Sequence, residues 1–212
     1  MYRNTFVKSI LAGIVIGVGD MINNLCDVKY LGAFLFSLGL LGILHNGWYL
    51  YTGKIGMLWF AEDKKAEGVR LVIGFVGNIL GVIMTTALYM LVNQDFKEIF
   101  TVNMSKLNEI SFGFCFVGGI FCGVLMTIAA FSYKKENPVV ECLIVVLCIM
   151  VFILAGYKHC IANVPMLIVS GANVGNYVGM VLGNTVGSLI FGGLCKLAME
   201  TASNKRKREN EA

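Results

Sequence analysis

Charge is scarce in this chain: only 14% of its 212 residues are Asp, Glu, Lys or Arg, while 57% are hydrophobic. A soluble domain carries about 25% charged residues, so an ordinary soluble enzyme or nucleic-acid module is excluded. Metal-ligand and disulfide patterns are missing too. The seven cysteines form no CxxC or Cys/His spacing; Cys115, Cys122, Cys142, Cys148, Cys160 and Cys195 lie in apolar runs, with only Cys26 near an expected surface. They read as small buried apolar residues. No buried carboxylate pair or nucleophile–base constellation is visible, which argues against a membrane-embedded enzyme, and no metal or cofactor is expected. Histidine is limited to His45 and His159.

What the chain has in quantity is apolar sequence, with a mean hydropathy of +0.76. A bilayer core takes roughly 20 helical residues to cross. Apolar runs near 6–25, 30–60, 69–92, 110–133, 139–171 and 174–198 predict six crossings, leaving no room for an extramembrane domain. The expectation is a single all-α transmembrane domain over 1–212, ending in a basic tail at 201–212. The first run lacks a small-x-small cleavage site and reads as a retained span.

Basic residues set the orientation. With the amino terminus inside, Arg3, Lys8, Lys64, Lys65, Arg70, Lys134, Lys135, Lys196 and Lys205–Arg208 are cytoplasmic, and only Lys29, Lys97 and Lys106 face the other side. This asymmetry predicts a multi-pass protein of the inner (plasma) membrane with both termini cytoplasmic. The tail directly follows a span, so it reads as a cytoplasmic anchor on the lipid surface and implies no nucleic-acid partner. Lys54 and Lys158 remain at membrane depth.

The two halves repeat. Gly13 and Gly17 match Gly119 and Gly123, and Gly77-Asn78 with Gly81 match Gly183-Asn184 with Gly187 at the same separation. Gly42 and His45 match Gly156 and His159 between them. A duplicated three-helix unit inserts its second copy upside down, so 1–105 and 106–200 are expected to be inverted repeats with a pathway at their interface. The second and fifth runs are interrupted, one at His45-Asn46-Gly47 and Thr52-Gly53-Lys54, the other at Lys158-His159, Asn163, Pro165 and Ser170-Gly171. Irregular backbone at membrane depth is tolerated only where protein or a water-filled cavity satisfies it. The glycines spaced by four need no ligand, since they permit close helix packing.

At these interruptions the sequence resembles the formate/nitrite transporter family, including its hydrosulfide channel branch. Leu50-Tyr51-Thr52-Gly53 is similar to the family's Leu-Phe-Thr loop, and His159-Cys160-Ile161-Ala162-Asn163 to its His-Ser-Val-Ala-Asn segment. Leu182-Gly183-Asn184-x-x-Gly187 resembles the start of its sixth helix. The resemblance implies a homopentamer with an aquaporin-like pore in each protomer and broken second and fifth helices. It implies apolar constrictions at Phe36, Leu40, Leu50 and Phe152, a central His159, and a vestibule lysine at Lys106. Lys54 and Lys158 depart from the family's usual small and acidic residues, and both add positive charge near the pathway.

An imidazole suits such a pathway because it donates a hydrogen bond to a small anion or helps pass it a proton near neutral pH. On residue type alone, His159 reads first as a buried histidine with a structural bond, Thr52 as a loop cap and Asn163 as a loop brace. The four apolar residues are ordinary packing residues on that basis. With the resemblance, Thr52 and Asn163 join His159, Lys158, Lys54 and Lys106 as the expected substrate pathway. The function expected is a channel or proton-coupled transporter for small monovalent anions such as formate, nitrite or hydrosulfide. A channel for a neutral solute such as ammonia or urea is the alternative.

Overall fold

A computed structural model of the chain describes residues 2–92, 98, 109–133, 137–169, 171 and 173–211, with side chains through residue 203. Lys97, Lys106, Lys134, Lys135 and Ser170 lie outside the described residues, as do the tail side chains Lys205–Arg208. The described elements are helical: α1 (Tyr2–Leu25), α2 (Lys29–His45), α3 (Tyr51–Ile55) running into a 3-10 turn (Gly56–Phe60), α4 (Lys64–Val92), α5 (Phe112–Ser132), α6 (Pro138–Leu154), α7 (Val164–Val169) and α8 (Val174–Glu211). By length and composition α1, α4, α5 and α8 are each able to cross a membrane. The other two crossings are composite, α2 with α3 and α6 with α7, each of which joins a 17-residue helix to a short one through irregular backbone.

Both composite crossings break in the same way. Gly47 and Gly156 have φ of 61° and 72°, conformations that glycine adopts without Cβ strain. In each case a Schellman motif ends the helix: Gly47 donates to Leu44 and Trp48 to Ile43, while Gly156 donates to Ile153 and Tyr157 to Phe152. Pro165, expected at a break, sits in the first turn of α7, where a missing N–H does no harm. Thr52-Gly53-Lys54, also expected at a break, is helical and belongs to α3. The irregular stretch within each composite crossing is therefore residues 46–50 in one half and 155–163 in the other, while Gly171, also expected at a break, is irregular with φ of 60° beyond the end of α7.

A buried asparagine holds each break. Asn78 on α4 donates to the carbonyls of Ser9 (2.8 Å) and Tyr49 (2.9 Å) and accepts from the Tyr51 N–H (2.8 Å). Asn184 on α8 repeats this with the carbonyls of Gly119 (2.9 Å) and Lys158 (2.7 Å) and the Cys160 N–H (2.8 Å). Ahead of them Tyr49 donates to the Lys8 carbonyl and Lys158 to that of Gly118. The backbone polar groups that the breaks free at membrane depth thus find protein partners.

These matched contacts fix the internal register and correct two pairings expected from the sequence. A Cβ at Gly13 would collide with the Asn78 carbonyl and one at Gly123 with that of Asn184, so Gly13 corresponds to Gly123, about one helical turn beyond the expected Gly119. The clamp contacts pair Tyr49 with Lys158 and Tyr51 with Cys160, which makes Leu50 the counterpart of His159. His45 is not that counterpart: it is exposed at the end of α2, with Nδ1 3.4 Å from the Tyr133 hydroxyl. Of the cysteines expected to be buried, Cys142 is exposed and Cys195 only half-buried, while Cys115, Cys122, Cys148 and Cys160 are buried as expected.

The surface is apolar. Large side chains such as Val72, Leu88, Val139 and Ile190 stand more than half exposed on the outer faces. The interior carries the buried polar groups Ser9, Ser37, Thr52, Asn78, His159, Asn184 and Ser188. This inverted distribution fits a chain whose outer solvent is lipid.

Replacing Asn184 by Leu removes three buried hydrogen bonds and strands their backbone partners, a loss of about 2–6 kcal/mol. The expected outcome is a clearly lowered melting midpoint of the detergent-solubilised protein, against an unchanged midpoint for the exposed Cys142→Ser. An Asn184→Leu protein melting at the wild-type temperature would show that the clamp does not hold the break.

Candidate functional site

The two breaks meet at the centre of the molecule. His159, 1% exposed, lies in the irregular stretch after α6, and Thr52, fully buried, lies in the first turn of α3. Their side chains meet across the two halves, with His159 Nε2 3.0 Å from Thr52 Oγ1. The other ring nitrogen is engaged as well, because the Ala162 N–H donates to His159 Nδ1 at 3.1 Å. An accepting Nδ1 carries no proton, so the neutral ring bears its hydrogen on Nε2 and donates it to Thr52 Oγ1. The threonine hydroxyl is then free to turn its own hydrogen to a third group.

Asn163 braces this loop. Its backbone N–H (3.0 Å) and side-chain amide (2.8 Å) both donate to the His159 carbonyl. The Phe152 ring stacks on the imidazole with centroids 5.6 Å apart, and Phe36 meets Phe152 edge to face at 5.9 Å. Cys160, next in sequence to the histidine, is fully buried.

Two cavities flank the pair. The first, about 190 Å³, opens near the carboxyl-terminal ends of α1 and α6 and is floored by Phe36 and Phe152. Its polar lining comes from Asp20, Asn23, Asn24, Tyr157, Lys158 and Asn163. The second, about 100 Å³, lies between α2, α3 and α5 and is lined by Leu40, Leu50 and Lys54 among others. Phe152 of the first cavity touches His159, and Leu50 and Gly53 of the second flank Thr52 in sequence. Each cavity has one lysine, held near an aromatic ring: Lys158 Nζ is 5.7 Å from the Phe114 centroid and Lys54 Nζ 5.9 Å from that of Tyr49.

Of the residues expected at the pathway, Phe36, Phe152, Lys158 and Asn163 line the first cavity, Leu40, Leu50 and Lys54 line the second, and His159 and Thr52 form the buried pair; Lys106 lies outside the described residues. Sequence reasoning missed Asp20, a carboxylate 7% exposed that lines the first cavity. Its signal was present, since it is the one acidic residue inside the first apolar run. No group of three or more His, Cys, Asp or Glu able to hold a metal occurs among the described residues.

Comparison with known proteins matches this geometry to one family. The family model described as formate/nitrite transporter matches residues 1–198. The nitrite transporter NirC of Escherichia coli strain K12 is 26% identical over 218 aligned positions, covering 89% of this chain and 81% of that protein. A solved pentameric formate channel with formate bound superposes with a TM-score of 0.80 at 21% identity, over 94% of this chain and 98% of that one. A solved FNT family ion channel gives 0.76 at the same identity, covering 92% and 89%.

The arrangement around the imidazole predicts its tautomer. In a His45→Gln background, where His159 is the remaining histidine, nitrogen-15 spectra of the neutral ring should show the proton on Nε2 and an accepting Nδ1. A neutral ring protonated on Nδ1 would contradict the geometry.

Proposed function

Since the chain belongs to the formate/nitrite transporter family, we propose that it carries small monovalent anions such as formate, nitrite or hydrosulfide across the plasma membrane, as a channel or proton-coupled transporter. It works as a homopentamer with a separate pathway in each protomer, and both termini are cytoplasmic. The observation that carries this reading is the buried His159–Thr52 hydrogen bond, with Phe152 beside His159 lining one lysine-bearing cavity and Leu50 and Gly53 beside Thr52 lining another.

The route runs from the first cavity past Phe36 and Phe152, along the His159–Thr52 pair, past Leu40 and Leu50, and into the second cavity. Lys158 and Lys54 draw anions to the two ends, because a fixed charge beside a low-dielectric wall raises the local concentration of its counter-ion. At the apolar rings the anion loses water, and an unpaired charge there costs several kcal/mol. Two groups offset that loss. With His159 donating to Thr52, the threonine hydroxyl directs its hydrogen to the passing anion, and the imidazole polarises that donor. Pairing with a proton removes the remaining charge, so passage as the neutral acid is favoured at acid pH, and transport rises as external pH falls.

A neutral solute would draw no advantage from the two lysines, which is why anions are preferred. Uptake of formate, nitrite and hydrosulfide into proteoliposomes at pH 5 and pH 8 tests the proposal. At least one should exceed the rate of protein-free liposomes and be faster at pH 5. The Lys158→Glu variant should need on the order of tenfold more anion for half-maximal uptake, since the charge reversal acts across the cavity through a medium less screening than water. No anion uptake above lipid alone, with ready passage of ammonia or urea, would overturn the reading.

A further inference from the structure

The first cavity holds a group that the pathway just described leaves unused. Asp20 is 7% exposed, and one carboxyl oxygen is accounted for: Oδ1 accepts from the Asn24 side chain at 3.1 Å, and the same amide also donates to the Asp20 carbonyl at 2.8 Å. Oδ2 is buried and has no hydrogen-bond partner among the described residues. A buried carboxylate oxygen with nothing to accept from is unusual, because such groups are nearly always satisfied. Here the unsatisfied oxygen belongs to a residue that lines the cavity, together with Lys158 and Asn163.

We propose that Asp20 is a proton-bearing ligand of the transported anion in the first cavity, donating from Oδ2–H to the anion before it reaches Phe36 and Phe152. This inference rests on the reading of the site as an anion pathway. A carboxylic acid is a donor and a carboxylate only an acceptor, so one residue presents opposite faces to an anion in its two protonation states. Protonated, Asp20 offers a hydrogen bond beside the positive Lys158. Ionised, it sets a like charge against the anion and cancels the field of that lysine. The proton comes from the solution that fills the cavity and stays on Asp20; only the hydrogen bond passes to the anion. Access to the cavity is thereby tied to acid pH by a group separate from both His159 and the substrate.

The groups that face Asp20 are few. The stretch after α6 brings Tyr157 and Lys158 into the same cavity. Asp27 and Lys29, at the start of α2, line an adjoining cavity with Asn23 and Asn24. From α4, packed against α1, Tyr89 reaches the groove that Met21 lines. Lys158 is thus the one described cation in the cavity that Asp20 lines, and Oδ2 makes no ion pair with it.

The test compares formate uptake by wild type, Asp20→Asn and Asp20→Ala in proteoliposomes, with equal pH on both sides from 5 to 9 so that insertion orientation is immaterial. Dividing each variant's rate by that of wild type at the same pH removes the titration of formate itself. Asp20→Asn keeps a donor and never ionises, so its ratio should be near one at pH 5 and rise on the order of tenfold by pH 9. Asp20→Ala has no donor and should be slower than wild type at pH 5. Size-exclusion chromatography confirms assembly of each variant. A ratio for Asp20→Asn that stays flat across the range overturns the role of Asp20 while the anion pathway stands. Absence of formate, nitrite and hydrosulfide uptake in assembled wild type overturns the pathway reading, and this inference with it.

Discussion

Everything in this structure depends on two buried side-chain amides. A membrane helix that stops halfway exposes backbone donors and acceptors to a medium with no water to satisfy them. Asn78 and Asn184 resolve this by each binding two carbonyls and one N–H, and one of those carbonyls always belongs to a neighbouring full-length helix. Break and helix pair are locked together as a unit. The Schellman motifs at Gly47 and Gly156 set the direction in which the chain leaves, and the amides set where it re-enters the helix.

The two halves are alike in the backbone contacts at their breaks and unlike in their chemistry. The clamps put Leu50 and His159 in corresponding positions, so one half contributes an apolar side chain where the other contributes an imidazole. Thr52 then crosses from the first half to bind that imidazole, and its own counterpart, Ile161, is apolar. A fully buried polar pair, one member from each half, results from two halves with matching backbone contacts. Ala162 N–H on Nδ1 orients the ring, and Phe152, which also lines the first cavity, covers its face.

Much of this was legible in the sequence, and the errors have physical causes. Six apolar runs and two polar interruptions are composition signals, which survive without coordinates. Gly77-Asn78 and Gly183-Asn184 are recognisable as a pair because the same Gly-Asn-x-x-Gly pattern recurs in the third and sixth runs. The register of the first helix was misplaced by one turn because glycines spaced by four match themselves when shifted by four; only contact with the Asn78 and Asn184 carbonyls distinguishes Gly123 from Gly119. His45 was paired with His159 on residue type, whereas the equivalence is set by backbone hydrogen bonds that make Leu50 the partner. Cys142 faces outward because an apolar run shows no periodicity when lipid surrounds it, and the same blindness concealed Asp20, whose direction depends on how α1 meets the stretch after α6.

The central claim is that His159 and Thr52 act on the anion as one hydrogen-bonded unit. A double-mutant cycle on formate uptake, using Thr52→Val, His159→Phe and the double variant in the same proteoliposomes, tests it most directly. A unit predicts that the double variant transports no more slowly than the worse single one, because either change already breaks the relay. Losses that multiply, with each substitution reducing uptake by its own factor in the presence of the other, would mean that the two side chains act independently and would contradict this account.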